Sequence, residues 1–165
     1  MPLLARAIAT LFGIGFLKPG PGTWGSLAAA ILAFPIVNYL GIWWLVAGTL
    51  LVSTIGIWAA EGYERLSGRH DPKEVVIDEV AGQWLTYLPM LFFADISFDW
   101  RFYALGFACF RLFDILKPWP IRTVDQQLPG GVGTMADDLL AAIPAAFLLW
   151  GLYWGQSVIG FYLGA

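Results

Sequence analysis

The chain has 165 residues, of which 59% are hydrophobic and 13% charged, against roughly 45 to 50% and about 25% in an average soluble domain. A mean hydropathy of +0.70, with nine Trp, twelve Phe and six Tyr, means more apolar surface than one small core can hide; this excludes an ordinary water-soluble globule and makes lipid the solvent. A net charge of -3 without a clustered basic footprint excludes nucleic acid as a partner, and the lone Cys109 excludes a disulfide framework or a Cys-rich metal site.

At the N-terminus, Arg6 precedes the mostly apolar Ala7 to Leu17, with no small-residue cleavage site of the A-x-A kind, so this stretch reads as part of the mature protein. The turn Pro19-Gly-Pro-Gly-Thr-Trp-Gly-Ser26 follows, with Thr23 and Ser26 as hydroxyl donors or Ser26 as a helix cap. Five apolar stretches then stand out: Leu27 to Leu40, Ile42 to Ala60, Val80 to Ala94, Phe102 to Phe110 running on towards Leu116, and Leu139 to Leu163. The second and fifth can span a membrane. The others reach only about 22 Å at 1.5 Å per residue, short of a hydrocarbon core of roughly 30 Å, unless they continue into their polar flanks. None alternates as a barrel strand does, so the sequence predicts an all-α integral membrane bundle of about four to five hydrophobic helices, one domain over 1–165. Asp71-Pro72-Lys73-Glu74 reads as an N-cap, a Pro at the first helical position and a capping-box Glu, opening a helix into the third stretch.

Consecutive spans alternate sides. A first hairpin puts Arg6 and Lys18 on the side of Arg65, Arg69 and Lys73, the cytoplasmic side by the positive-inside bias. A second hairpin through Asp95 to Arg101 returns Arg111 to Asp138 to the same side, so the unusual polar sequence shares one membrane face.

Three acidic groups stand there. Asp78-Glu79 lies among aliphatic residues with no base within four positions, either on a surface helix facing water or, with Gly82 leaving space one turn away, open to a ligand. Arg111, Asp114 and Lys117, at i, i+3 and i+6, form either an ion-pair ladder or part of a site, and Lys117-Pro118-Trp119-Pro120 then breaks the helix, with Arg122 shortly after. The glycine-rich turn at 129–133 feeds a helix predicted to begin near Ala136; Thr134 and Asp137 fit a capping pattern, and Asp138 needs another reason. Five carboxylates on one face, Asp78, Glu79, Asp114, Asp137 and Asp138, repel one another unless a cation sits among them. Hard oxygen ligands without Cys or His point to Mg²⁺, which keeps waters and takes substrate phosphate as a further ligand. Lys117, Arg111 and Arg122 supply the matching positive charge.

Known covalent phosphatase chemistries are excluded. Ile115 stands where a Cys-x5-Arg loop needs arginine, the lone His70 cannot supply two histidines and reads as a solvated loop residue, and no Asp-x-Asp-x-Thr/Val motif is present. The remaining side chains support attack of a metal-activated water on a phosphoryl group.

The blocks PGTWGSLAA (21–29), DPKEVVIDEVAG (71–82), FRLFDILKPWPI (110–121) and GGVGTMADDLLAA (130–142) resemble the bacterial phosphatidylglycerophosphatase A family, with Ala142 where the family often has glycine. The resemblance implies a Mg²⁺-dependent inner-membrane enzyme that takes phosphatidylglycerophosphate to phosphatidylglycerol and inorganic phosphate. Its site is then expected to use Asp78, Glu79, Asp114 and Asp138 in catalysis, those four and Asp137 on one or two Mg²⁺ ions, and Lys117, Arg111, Arg122, Thr23 and Ser26 on the substrate. No obligate protein partner is evident. Two rivals are a CDP-alcohol phosphotransferase, whose DG-x2-AR signature is absent, and a transporter or assembly factor with an acidic ion path.

Overall fold

A computed structural model describes residues 2–69, 72–92 and 99–163, with backbone alone for 124–126 and 156–163. Every regular element among the described residues is helical: α1 (Pro2–Ala9), α2 (Pro21–Pro35), α3 (Ile42–Ser67), α4 (Ile77–Thr86), α5 (Trp100–Leu116), α6 (Ile121–Gln127) and α7 (Gly130–Leu163). Short 3₁₀ turns lie at Ile14–Phe16 and Leu88–Phe92, and a π turn, Ile36–Leu40, prolongs α2.

Among the described residues, three helical stretches are long and apolar enough to cross a membrane: Pro21–Leu40, Ile42–Ser67 and Gly130–Gly155. The first apolar stretch therefore does continue into its polar flank, because Pro21 at the first turn starts the helix six residues before Leu27. The third does not form one helix. α4 ends at Thr86, ahead of Pro89, and at ten residues is about 15 Å long. α5, capped by Asp99, which accepts from the Arg101 N–H at 3.0 Å, stops where Lys117 takes a left-handed conformation (φ 40°) before Pro118.

The predicted start of the helix at Pro72 is wrong by about five residues. Pro72 to Val75 form a turn closed by Val75 N–H to the Pro72 carbonyl (2.9 Å), and the Val76 N–H bonds to the Ala9 carbonyl (2.9 Å). Glu74 is taken by Arg69 through two hydrogen bonds of 3.0 Å and is not free to cap. Asp71 and His70, and residues 95–98 of the expected Asp95 to Arg101 connection, lie outside the described residues.

α7 is the central element, packed against α3, α4, α5 and α6. Small residues make these approaches possible, as between membrane helices, where close backbone packing replaces the hydrophobic drive. Ala59, Ala60, Ala142 and Ala145 are fully buried. Around them Trp84 donates to the Ala29 carbonyl (2.9 Å) and Tyr87 to the Tyr103 carbonyl (2.8 Å), so the polar tips of these two buried aromatic rings are satisfied. Trp43, Trp44, Leu50, Leu51 and Phe147 are exposed on the outer surface, as lipid-facing residues are.

Gly82 does not leave room for a ligand. A Cβ there would lie 2.6 Å from the Phe110 ring and 2.9 Å from the Asp138 carbonyl, so the missing side chain seats α4 against α5 and α7. Gly82→Ala is expected to cost about 1–3 kcal/mol by overpacking, read as a lower melting temperature in detergent. Gly151→Ala, with nothing within 4 Å of the added atom, is expected to melt as the wild type does.

Candidate metal and phosphate site

The helices deliver polar residues to one end of the bundle from four segments: the start of α2, the start of α4, the end of α5 and the start of α7. Asp78 and Glu79 fall in the first turn of α4, where unpaired N–H groups and the helix dipole favour carboxylates; the Glu79 N–H bonds to Asp78 Oδ1 at 3.1 Å. α7 begins six residues earlier than the sequence suggests. Gly130, Gly131 and Gly133 belong to its first turn rather than to a turn ahead of it, and Thr134 hydrogen-bonds back to the Gly130 carbonyl (3.3 Å) instead of capping. A Cβ at Gly131 would run into the Ile57 carbonyl of α3 and one at Gly133 into the Leu128 carbonyl. The glycine run therefore serves close packing, and it carries Asp137 and Asp138 into the bundle, 5% and 3% exposed.

Three carboxylates converge: one oxygen from each of Asp78, Glu79 and Asp138 lies within 4.8 Å of the others. Glu79 Oε2 and Asp138 Oδ2 are buried and have no hydrogen-bond partner in the protein. Buried charged oxygens without partners are costly, and a cation is what such a trio lacks. Burial pushes the Asp78 carboxyl well above its ordinary range, helped by the charge of Glu79. Burial likewise raises Glu79 to about 8, with the charges of Asp138 and Asp114 adding to it and Arg111 opposing.

The other two predicted carboxylates are ion-paired. Asp114 Oδ2 lies 2.5 Å from Arg111 Nη1, the first rung of the expected ladder, with both side chains largely covered. Lys117, thrown out of the helix by its left-handed backbone, reaches across to Asp137 Oδ2 on α7 at 2.5 Å. Ser26 lies inside α2 rather than at its cap: it donates to the Gly22 carbonyl (2.9 Å) and accepts from Arg111 Nη1 (3.3 Å), linking α2 to α5. Thr23 and Arg122 are both exposed. Gly22 is a site residue that the sequence reading missed; a Cβ there would collide with Glu79 Oε1 and approach Arg111 Nη1 to 3.2 Å, so any side chain at this position would displace the Glu79 carboxylate from its place under the start of α2. Its signal was the second glycine of PGPG, read as part of a turn.

These shifts give the metal-free protein a definite pH dependence. Glu79 keeps its proton in the native state from about pH 4.5 to about 8, where the unfolded chain has lost it, so its contribution to stability falls as pH rises through that window, and Asp78, shifted in the same direction, adds to the decline. At ~1.4 kcal/mol per unit of difference, Glu79 alone contributes a few kcal/mol. Melting curves in EDTA between pH 5 and 9 are expected to show this decline, and Mg²⁺ to reverse it most strongly at the alkaline end.

Among the described residues, three helices of membrane-crossing length and a buried acidic trio that could hold a metal ion, beside an arginine and a lysine, define a membrane-associated helical bundle with an acidic site at one end. The comparisons with known proteins identify which. A family model described as phosphatidylglycerophosphatase A matches residues 7–153. Phosphatidylglycerophosphatase A of Haemophilus influenzae is 38% identical over 148 residues, covering 89% of this chain and 88% of the relative. That of Escherichia coli is 34% identical over 155 residues, covering 92% and 86%. A putative phosphatidylinositol-3-phosphatase of Bacteroides thetaiotaomicron is 38% identical over 147 residues, covering 86% and 89%. No solved structure matches the chain. The chain belongs to the phosphatidylglycerophosphatase A family, as its four sequence blocks anticipate.

Proposed function

We propose that this chain removes the terminal phosphate of phosphatidylglycerophosphate, giving phosphatidylglycerol and inorganic phosphate, at the cytoplasmic face of the bacterial inner membrane. The observation that carries the reading is the convergence of Asp78, Glu79 and Asp138 beside Arg111, in a chain of this family.

The trio fits Mg²⁺: three hard oxygen donors, two of their partner oxygens buried without a protein hydrogen bond, and no sulfur or imidazole among them. Asp78, Glu79 and Asp138 would hold the ion, which when bound neutralises charge on the phosphoryl oxygens and lowers the pKa of a bound water. Asp137 and Asp114, each on a cation, stand beside the trio. Arg111, steered by Asp114 and Ser26, presents its guanidinium to the phosphate, and Lys117 adds a second positive charge. To Asp114, next to the trio, we assign the taking of a proton from the attacking water as the new P–O bond forms. The bond from phosphorus to the glycerol oxygen breaks, and that oxygen regains a proton to leave as the alcohol of phosphatidylglycerol. Exposed Arg122 and Thr23 are assigned to guiding the headgroup at the rim.

The test is phosphate release by the purified protein in detergent micelles from phosphatidylglycerophosphate and, separately, from phosphatidylinositol 3-phosphate. The reading expects a kcat/KM at least about a hundredfold higher for the first, a preference of ~2.7 kcal/mol in transition-state binding. Equal or reversed preference would move the substrate to the inositol lipid.

A further inference from the structure

The site lies at one end of the bundle, but a lipid phosphomonoester must also place its acyl chains. Next along the two helices from Ser26 and Arg111, beginning at Leu27 on α2 and one turn away at Phe107 on α5, α2 and α5 line a groove of about 330 Å³. Leu27, Ile31 and Phe34 of α2 and Trp100, Ala104 and Phe107 of α5 form its walls. These positions continue the faces that carry the site. On α5 the series Arg111, Phe107, Ala104, Trp100 steps by four, three and four residues, and on α2 Thr23, Leu27, Ile31 and Phe34 step by four, four and three, so each series is one helix face. From Ser26 to Phe34 the wall descends about 12 Å. At the far end the rings of Phe34 and Tyr103 meet edge-on with centroids 5.3 Å apart, which gives the groove a floor. Its outer side is open, since Ile31 is 63% exposed.

A larger groove of about 550 Å³ runs between the end of α4 and α7. No residue of α2 or α5 lines it, so it does not share a wall with Arg111 and Ser26.

We propose that the α2–α5 groove is the acyl-chain site: one chain of the lipid phosphomonoester slides in laterally from the bilayer between these helices while its phosphate is drawn to Arg111 at the mouth. This rests on the reading of the site as a lipid phosphatase. A cationic mouth on an apolar, floored groove has the polarity of such a molecule, with charge at one end and hydrocarbon at the other.

The test fills the groove from each wall with Ile31→Trp and, separately, Ala104→Trp, both at exposed positions where added bulk leaves the core alone. Phosphate release is measured with dioleoyl and with dihexanoyl phosphatidylglycerophosphate. Each variant is expected to lower kcat/KM for the dioleoyl lipid at least about tenfold, the loss from displacing two methylenes, and to leave the dihexanoyl lipid within about twofold. Ala108→Trp, exposed on α5 but outside this groove, is expected to change neither. Equal losses on both lipids, no loss on either, or the same loss from Ala108→Trp would overturn the proposal. A second readout needs no turnover: dioleoyl phosphatidic acid with a photoreactive group on one chain is expected to label peptides containing 27–34 and 100–107. Labelling confined to 85–92 and 143–150 would overturn the groove assignment. Phosphate release from neither lipid would count against the phosphatase reading, while the labelling pattern still decides where the chain lies.

Discussion

Asp138→Asn is expected to lower the rate of phosphate release at least about a thousandfold while the protein keeps its fold, a loss of ~4 kcal/mol of transition-state stabilisation. The amide has the volume of the carboxylate, so packing in α7 is unchanged, but it brings no charge to the trio. In the metal-free protein the substitution is expected to raise the melting temperature, because Asp138 Oδ2 is a buried oxygen without a protein partner, set beside Asp78 and Glu79. Activity and stability moving in opposite directions is the signature of a functional charge cluster, since a residue kept for structure would lose both together. Circular dichroism and a thermal melt beside the phosphate assay distinguish the two.

The second large effect belongs to Arg111. Arg111→Ala is expected to cost about 3–5 kcal/mol of stability, because it leaves Asp114 as an uncompensated, largely covered charge beside three other carboxylates. It is also expected to reduce kcat/KM by about a hundredfold or more through loss of the charged donor to phosphate. The double variant Arg111→Ala with Asp114→Ala separates these effects. Removing both partners is expected to recover most of the stability, with a coupling energy of the size seen for contacting charges, and none of the activity. Arg111→Lys keeps the charge but cannot span Asp114 and Ser26 with one planar group, and is expected to fall between.

The all-helical class was legible because it depends on composition and hydropathy alone. Asp78 and Asp138 do meet at one end of the bundle, although the third apolar stretch, expected as one arm of a hairpin, breaks at Thr86 ahead of Pro89 and is not of membrane-crossing length. Helix starts were harder to read. Asp71-Pro72-Lys73-Glu74 has the composition of a cap, yet Arg69 competes for Glu74 and the Val76 N–H finds the Ala9 carbonyl, both long-range facts that no local pattern contains. Glycine was the main source of error. In water-soluble chains Gly-Gly-x-Gly marks a loop, but here Gly131 and Gly133 are the inside of a helix pressed against a neighbouring backbone, and Gly82 and Gly22 are contact points rather than openings. The division of five carboxylates into a trio and two ion-paired members was also out of reach, because Lys117 meets Asp137 only through a left-handed cap that aims it at another helix.

The measurement that bears most directly on the central claim is phosphate release from phosphatidylglycerophosphate by the purified, folded protein, first stripped with EDTA and then titrated with Mg²⁺. The account predicts no release without metal, saturable recovery as Mg²⁺ is added, and no recovery at any Mg²⁺ concentration in Asp78→Asn or Asp138→Asn. Release that persists in EDTA, or that the two variants retain in full, would contradict the role assigned to the carboxylate trio.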